Sequence, residues 1–204
     1  MITHMEYDNQ ICDMNVLPIR KKNPVADEEM YEHYLKTKDE ADIRSLLERY
    51  RESLTLFLFG LVNNMEDAED IMMETFALVA LGKTPFLGIS SFKTWLFAIA
   101  RNKAKMFIRK YGKEVETASQ RKDDINVTCL EDGILSKERN KVIYEALNSL
   151  RPDYANVLYL YYIENMKHES IAKILGKTKK QTYDILYEGR NALKHVLEDM
   201  DYEF

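Results

Sequence analysis

The sequence predicts an all-α protein with two helical domains joined by a flexible linker, and three observations support this. Seven Gly and four Pro among 204 residues are few for a β-rich fold with many turns. Apolar residues recur at spacings of three and four over long stretches, which is typical of amphipathic helices. Residues 112–137 lose this periodicity and mix charges of both signs, as expected of a segment between domains.

The first helices are predicted from periodicity and from the residues that interrupt it. Residues 1–40 are acidic and weakly periodic, and we expect a tail with a short helix around 27–36. From Asp42 a clear apolar period runs until Asn63-Asn64 interrupts it. A second helix follows over 66–80.

The remaining helices have recognisable start and stop signals. Ser90-Ser91 offers an N-cap for a helix that begins at Phe92. Pro152 is suited to the first position of a helix, and Gly176 to a tight turn between two helices. The predicted units are therefore a tail, a first domain, a linker and a second domain, over residues 1–40, 41–111, 112–137 and 138–199.

Composition excludes several classes of protein. A net charge of −5 argues against indiscriminate coating of nucleic acid but allows local basic faces. Cys12 and Cys129 lie far apart, and the four His do not cluster, so we expect no metal, no cofactor and no catalytic site. The apolar stretch 54–62 is too short to span a bilayer, and no signal peptide is visible. We expect a cytoplasmic protein that is not itself a membrane protein.

Five carboxylates, Glu66, Asp67, Glu69, Asp70 and Glu74, fall within nine residues of the second helix. Three interpretations are open. The first is a solvated acidic face that complements the helix dipole. The second is a carboxylate metal site, although the Glu-x-x-His partner motif is absent. The third is a docking face for a basic protein.

The helix from Phe92 to Lys113 carries seven basic residues, which accompany the aromatics Phe92 and Trp95, and no acidic residue. Cations attract phosphate and aromatics can stack on exposed bases, so the segment suits single-stranded or opening nucleic acid. The alternative is that Phe92 and Trp95 pack in the core while the cations are solvated.

Residues 168–195 follow a helix-turn-helix pattern, with Gly176-Lys177-Thr178 as the turn. The second helix of such a motif enters the major groove of duplex DNA. An ordinary helical hairpin is the alternative. The side chains predicted to point outward are Lys179, Lys180, Gln181, Tyr183, Asp184, Tyr187 and Arg190.

Four segments together resemble the extracytoplasmic-function (ECF) group of bacterial sigma factors, which belong to the sigma-70 family. They are the acidic segment 67–76, the aromatic and basic segment 92–102, Leu-Asn-Ser-Leu-Arg-Pro at 147–152, and the helix-turn-helix. The resemblance covers about residues 42–198. It implies that the two domains are sigma regions 2 and 4, and that the protein is not an enzyme.

The resemblance also implies binding roles for particular residues. Docking on core RNA polymerase would use Asp67, Asp70, Met73, Glu74 and Phe76. Recognition and melting of the minus-ten promoter element would use Lys93, Trp95, Arg101, Asn102, Lys105 and Arg109. Reading of the minus-thirty-five element would use Lys179, Lys180, Gln181, Tyr183, Asp184, Tyr187 and Arg190. The linker would pass through channels of the polymerase.

Three departures from the family pattern affect contacts and promoter choice. Met73 stands where the family often has Gln, so a contact there must be apolar or absent. The turn has Lys177-Thr178 in place of an apolar residue and Pro, and Tyr183-Asp184-Ile185 replaces a more basic run.

The leading hypothesis is an alternative sigma factor that binds core RNA polymerase and directs promoter-specific initiation, without a small-molecule substrate. The resemblance also implies an anti-sigma partner, and the aromatic-rich stretch 158–162 is open to interpretation as core or as a partner surface. The alternative is a stand-alone helix-turn-helix regulator with an N-terminal sensing or oligomerisation domain. A third class, an all-helical enzyme that uses the acidic cluster, lacks His partners.

Overall fold

The computed structural model describes residues 26–118 and 138–200, and within them the side chains of 26–111 and 142–200. All regular structure in these ranges is helical, which confirms the predicted fold class. The α-helices are α1 Asp27–Thr37, α2 Glu40–Val62, α3 Met65–Ala80, α4 Phe92–Ala118, α5 Glu138–Ser149, α6 Pro152–Leu158, α7 His168–Leu175 and α8 Lys179–Asp199, with a π-helical segment Tyr159–Ile163 after α6.

The predicted breaks between helices form through local capping. Asn63 ends α2 in the left-handed conformation, and the side chain of Asn64 accepts a hydrogen bond from the Asp67 amide at 3.0 Å to begin α3. Ser91 caps α4 through the Thr94 amide. Pro152 occupies the first turn of α6.

Helices α1 to α4 pack as a first bundle. Helix α1 belongs to this bundle, because Tyr31 is fully buried and its hydroxyl donates to the Val79 carbonyl at 3.0 Å. The Glu28 carboxylate accepts the first amide of α4, from Phe92, at 2.6 Å. Helix α1 thus belongs to the first bundle, although it precedes residue 41, where the predicted first domain begins.

Helices α5 to α8 form a second bundle around an aliphatic core that includes Leu158, Ile171, Leu186 and Leu193. The two bundles also contact each other, because α4 packs against α7 and α2 packs against α6. The predicted linker begins within the end of α4, which continues to Ala118, and its residues 119–137 lie outside the described residues.

Candidate nucleic-acid interface

The acidic helix α3 presents an exposed stripe in which an apolar side chain lies among carboxylates. Asp70 and Glu74 are exposed, and Met73 between them is 53% exposed. The opposite side of α3 is buried through Ile71 and Met72. We call Asp70, Met73 and Glu74 the docking face.

Two other residues predicted to dock have different environments. Phe76 is 5% exposed and belongs to the core of the first bundle. Asp67 is half-buried, and burial, with the nearby charges of Glu66 and Asp70, raises the pKa of its carboxyl group. The exposed docking face is therefore narrower than the set predicted from sequence.

The aromatic residues at the start of α4 are held in the bundle. Phe92 is fully buried, and its ring lies 5.1 Å from that of Tyr31 and 5.6 Å from that of Trp95. The Trp95 ring also lies 5.1 Å from Phe86 and is half-buried. Trp95 is thus a packed residue in this structure, not a free stacking platform.

Several cations of α4 already have partners within the protein. Lys93 forms an ion pair with Glu164, with 2.6 Å between Nζ and Oε2. Lys103 pairs with Glu74 of the docking face at 2.6 Å. Arg101 is half-buried against the helix-turn-helix, where its Nη1 lies 3.3 Å from the position of a Cβ on Gly176.

The rest of α4 presents a basic surface to solvent. Asn102, Lys105 and Arg109 are exposed, and Arg101, Lys105 and Arg109 step by four residues along one side of the helix. We call Arg101, Lys105 and Arg109 the basic face. Its first residue lies under the second bundle, and the other two are open.

The helix-turn-helix has the predicted geometry. Gly176 adopts a left-handed conformation with φ of 58°, and Thr178 caps α8. Thr178 accepts from the Gln181 amide at 3.1 Å, and the Gln181 side chain accepts from the Thr178 amide at 2.8 Å. Gln181 therefore takes part in a capping box through its backbone amide and its side-chain Oε1.

The other outward residues of α8 differ in their contacts and exposure. Lys179 pairs with Glu169 of α7, and this hydrogen bond raises the pKa of the Lys179 ammonium group. The Arg190 guanidinium lies over the rings of Tyr161 and Tyr162 at 5.3 and 5.6 Å. Lys180, Tyr183, Asp184 and Tyr187 are exposed as well, and we call these four residues the reading face.

The aromatic-rich stretch 158–162 contains both core residues and partly exposed residues. Leu158 and Tyr159 are buried in the core, whereas Tyr161 and Tyr162 are half-buried and adjoin Arg190. Tyr183 of the reading face stacks on His168, with ring centroids 3.9 Å apart.

Sequence reasoning missed two features beside α4. Glu164 is the buried partner of Lys93, and no local pattern marks a single carboxylate for that role. Leu87 and Ile89, in the loop before α4, are large apolar residues exposed to solvent. In the sequence, their position among Gly and Ser residues could have indicated an exposed loop.

Among the described side chains, those of 26–111 and 142–200, no three His, Cys, Asp or Glu group as metal ligands would. Over the same ranges, no helix combines the length and apolar character needed to cross a bilayer.

Protein-family models match residues in each of the two bundles. A family model described as Sigma-70 region 2 matches residues 46–114, and one described as Sigma-70, region 4 matches residues 140–193. The RNA polymerase sigma factor YlaC of Bacillus subtilis is 27% identical over 158 residues, which cover 74% of this chain and 90% of YlaC. The ECF RNA polymerase sigma factor SigX of the same organism is 28% identical over 169 residues, 78% of this chain and 85% of SigX.

Two solved structures share the fold. The sigma factor RpoE in complex with the anti-sigma factor NepR, from Bartonella quintana, has a TM-score of 0.59 and 24% identity, over 77% of this chain and 97% of that one. CnrH, in complex with the cytosolic domain of CnrY, has a TM-score of 0.60 and 19% identity, over 86% of this chain and 99% of that one.

Proposed function

We propose that the docking, basic and reading faces divide the work of transcription initiation, because the chain belongs to the ECF sigma factors of the sigma-70 family. A sigma factor binds core RNA polymerase and directs promoter-specific initiation, and its role is non-catalytic. The docking face binds core polymerase, the basic face contacts the minus-ten element, and the reading face contacts the minus-thirty-five element.

The observation that carries this assignment is the docking face. On this face Met73, which is 53% exposed, lies between two exposed carboxylates, so apolar and acidic surface are presented side by side. It fits a partner surface that offers both cations and an apolar contact. The docking face therefore supports the third interpretation of the acidic cluster.

The two DNA-facing surfaces suit different states of DNA. The basic face supplies phosphate contacts at steps of four residues along a helix, which a strand that is separating from its duplex can follow. The reading face begins at a capped helix N-terminus, the end of a recognition helix that enters the major groove. Lys180 and Asp184 can then exchange hydrogen bonds with base edges.

The proposal also covers a protein partner and the cellular location. We include an anti-sigma protein among the partners, because both solved relatives above are described in complexes with anti-sigma factors or a cytosolic domain of a partner. We also propose that the protein acts in the cytoplasm, needs no cofactor and catalyses no reaction itself.

Run-off transcription tests the function. Purified core polymerase and this protein are combined on fragmented genomic DNA, with each omitted in turn. Transcripts that need both components are the expected result. Duplex DNA binding by the protein alone, without transcripts or co-elution with core polymerase, would instead favour the stand-alone regulator.

Charge reversal tests the docking face. The double variant Asp70→Lys with Glu74→Lys should weaken binding to core polymerase by about tenfold or more, because it replaces attraction with repulsion. The matched control is Glu29→Lys with Glu32→Lys, which makes the same charge change on exposed residues of α1. Equal affinities of the two double variants would contradict the assignment of the docking face.

A further inference from the structure

The centre of the reading face is aromatic. Successive residues of an α-helix are turned by about 100°, so Tyr183 and Tyr187 lie between Lys179 on one side and Lys180 with Asp184 on the other. Tyr183 is 47% exposed and Tyr187 is 55% exposed. Large aromatic surface thus occupies the middle of the helix face that would enter the groove, and charged side chains lie at its margins.

A histidine outside the recognition helix holds one of these rings. The imidazole of His168, the first residue of α7, stacks on the Tyr183 ring with 3.9 Å between centroids and 18° between ring planes. His168 is half-buried, and the Tyr161 ring lies 5.0 Å from it. The guanidinium of Arg190 lies 5.3 Å from the Tyr161 ring in turn. The Tyr183 ring is therefore the exposed end of a row of packed groups.

A second contact between α7 and α8 fixes the same side of the recognition helix. Lys179, one turn before Tyr183, forms an ion pair with Glu169, the neighbour of His168 in α7. Consecutive residues of α7 therefore contact residues one turn apart on α8. An exposed ion pair contributes little to stability, so we assign the positioning of the Tyr183 ring mainly to the stack on His168.

The stack restricts the Tyr183 side chain before DNA binds. An exposed side chain exchanges rapidly between rotamers, and ordering it on binding costs conformational entropy. A ring that is already held against α7 loses less of this entropy when it contacts DNA. His168 can thus strengthen a base contact through Tyr183 without touching DNA itself.

The major groove offers one apolar group that such a ring can contact. An A·T pair presents the C5-methyl group of thymine, whereas a G·C pair presents hydrogen-bonding groups and no methyl group. A phenol ring that covers a methyl group removes apolar surface of both from water, which is favourable. Charged side chains at the margins suit phosphates and hydrogen-bonding base edges instead. The aromatic centre of the reading face therefore favours thymine.

We propose that Tyr183 selects thymine in the upstream promoter element by contacting its C5-methyl group, and that His168 is the positioning residue that holds the Tyr183 ring for this contact. The proposal rests on the proposed function, because it requires α8 to enter the major groove of the minus-thirty-five element. The departure of Tyr183 from a more basic family run then changes which base is read, and the helix-turn-helix itself is retained.

Deoxyuridine tests the methyl contact, because it differs from thymidine only in lacking the C5-methyl group. A promoter fragment identified by run-off transcription is synthesised with each thymine of the upstream element replaced singly by uracil. Competition measures its affinity for the complex of core polymerase with this protein. We expect one position at which uracil weakens binding about fourfold, the factor that corresponds to about 0.8 kcal/mol for one buried methyl group. Equal affinities at every position would overturn the proposal.

Two substitutions at Tyr183 assign the effect to its ring. Tyr183→Ala should bind the thymine and uracil promoters equally at that position, whereas Tyr183→Phe, which keeps the ring, should retain the preference for thymine. A full preference in Tyr183→Ala would overturn the assignment. Loss of the preference in Tyr183→Phe would mean that the hydroxyl group makes the contact, and would overturn the methyl contact.

Substitutions at His168 test positioning. His168→Ala should lower the preference for thymine from about fourfold to about twofold or less, because the ring must then be ordered on binding. His168→Phe, which can still stack, should restore it. The matched control is His195→Ala, which removes an exposed imidazole that pairs with Glu198 further along α8 and should keep the full preference.

The readout of this test is the ratio of two affinities of one protein, so partial loss of folded protein cancels from it. A purely structural role of His168 would leave the ratio unchanged in His168→Ala, and that result would overturn the positioning role.

Transcription separates these outcomes from the proposed function. If the wild-type protein gives transcripts that need core polymerase but shows no preference for thymine, the proposed reading of thymine is overturned and the proposed function is left intact. Absence of such transcripts would overturn the proposed function and this proposal with it.

Discussion

The two helices assigned to DNA, α4 and α8, differ in how the protein uses their charged side chains. In α4, Lys93 and Lys103 are paired with carboxylates, and Arg101 is half-buried under the other bundle. In α8, Lys180 and Asp184 are exposed on the outer surface. The reading face is open in this structure, whereas the basic face is partly covered.

This difference shows that the number of basic residues in a helix does not measure how many of them are available to bind phosphate. The segment from 92 to 113 has no acidic residue of its own, but it receives carboxylates from α3 and from the second bundle. Because phosphate binding depends on cations that can release their present partners, the two helices should respond differently to the same kind of substitution.

The largest effect on the free energy of unfolding should come from removing the buried ring at the start of α4. Phe92→Ala should lower the free energy of unfolding by about 3–5 kcal/mol, because a fully buried ring is replaced by a cavity within the aromatic cluster. Urea denaturation followed by fluorescence of Trp95, the single tryptophan, reports on this bundle directly.

The control for that experiment is Met106→Ala, also on α4 but 69% exposed, which should change the free energy of unfolding by less than about 0.5 kcal/mol. If both variants unfolded at the same urea concentration, the Phe92 ring would not be a support of the basic face, and the contrast between the two helices would lose its structural basis.

Local chemistry explains which features could be predicted from sequence. Asn63, Pro152 and Gly176 act on their immediate neighbours, so their roles follow from residue type and spacing. The helix-turn-helix is local in the same sense. These features gave the fold class and the position of the candidate surfaces.

Long-range pairing explains what could not be predicted. Lys93 and Glu164 are 71 residues apart, and Tyr31 meets Val79 across 48 residues, so no window of sequence contains both partners. Gln181 is a different case, because a Thr three residues before a Gln is a recognisable capping box. The sequence pattern indicates this capping role, but the position of Gln181 on a recognition helix favoured the prediction of a DNA contact.

Two substitutions can distinguish the contribution of α8 to base recognition from the contribution of its N-cap to stability. Lys180→Ala should leave the free energy of unfolding within about 0.5 kcal/mol of the wild-type value, yet reduce discrimination at the upstream element by about 1–3 kcal/mol if Lys180 contacts a base. Thr178→Ala should lower the free energy of unfolding by about 1 kcal/mol through loss of the cap. Denaturation and competition between promoter variants measure the two effects.

The opposite pattern would revise the reading face. Loss of binding by Lys180→Ala that is equal on all promoters would assign Lys180 to phosphate contact. Loss of discrimination in Thr178→Ala at temperatures where the protein stays folded would mean that the cap also positions a base contact.

The smallest effect concerns the ion pair between Glu169 and Lys179, both exposed. The hydrogen bond from Lys179 lowers the pKa of the Glu169 carboxyl group below its ordinary value of 4.5. A carboxyl group with a lowered pKa in the folded state stabilises the protein above its ordinary pKa, and this contribution is lost as pH falls through the lowered value. Glu169→Gln should therefore melt slightly below the wild-type protein at neutral pH and equal it in strong acid, as measured by Tm against pH. If the Tm difference persisted below the lowered pKa, the effect would come from packing and not from the ion pair. Lys179 would then be as available to phosphate as Lys180.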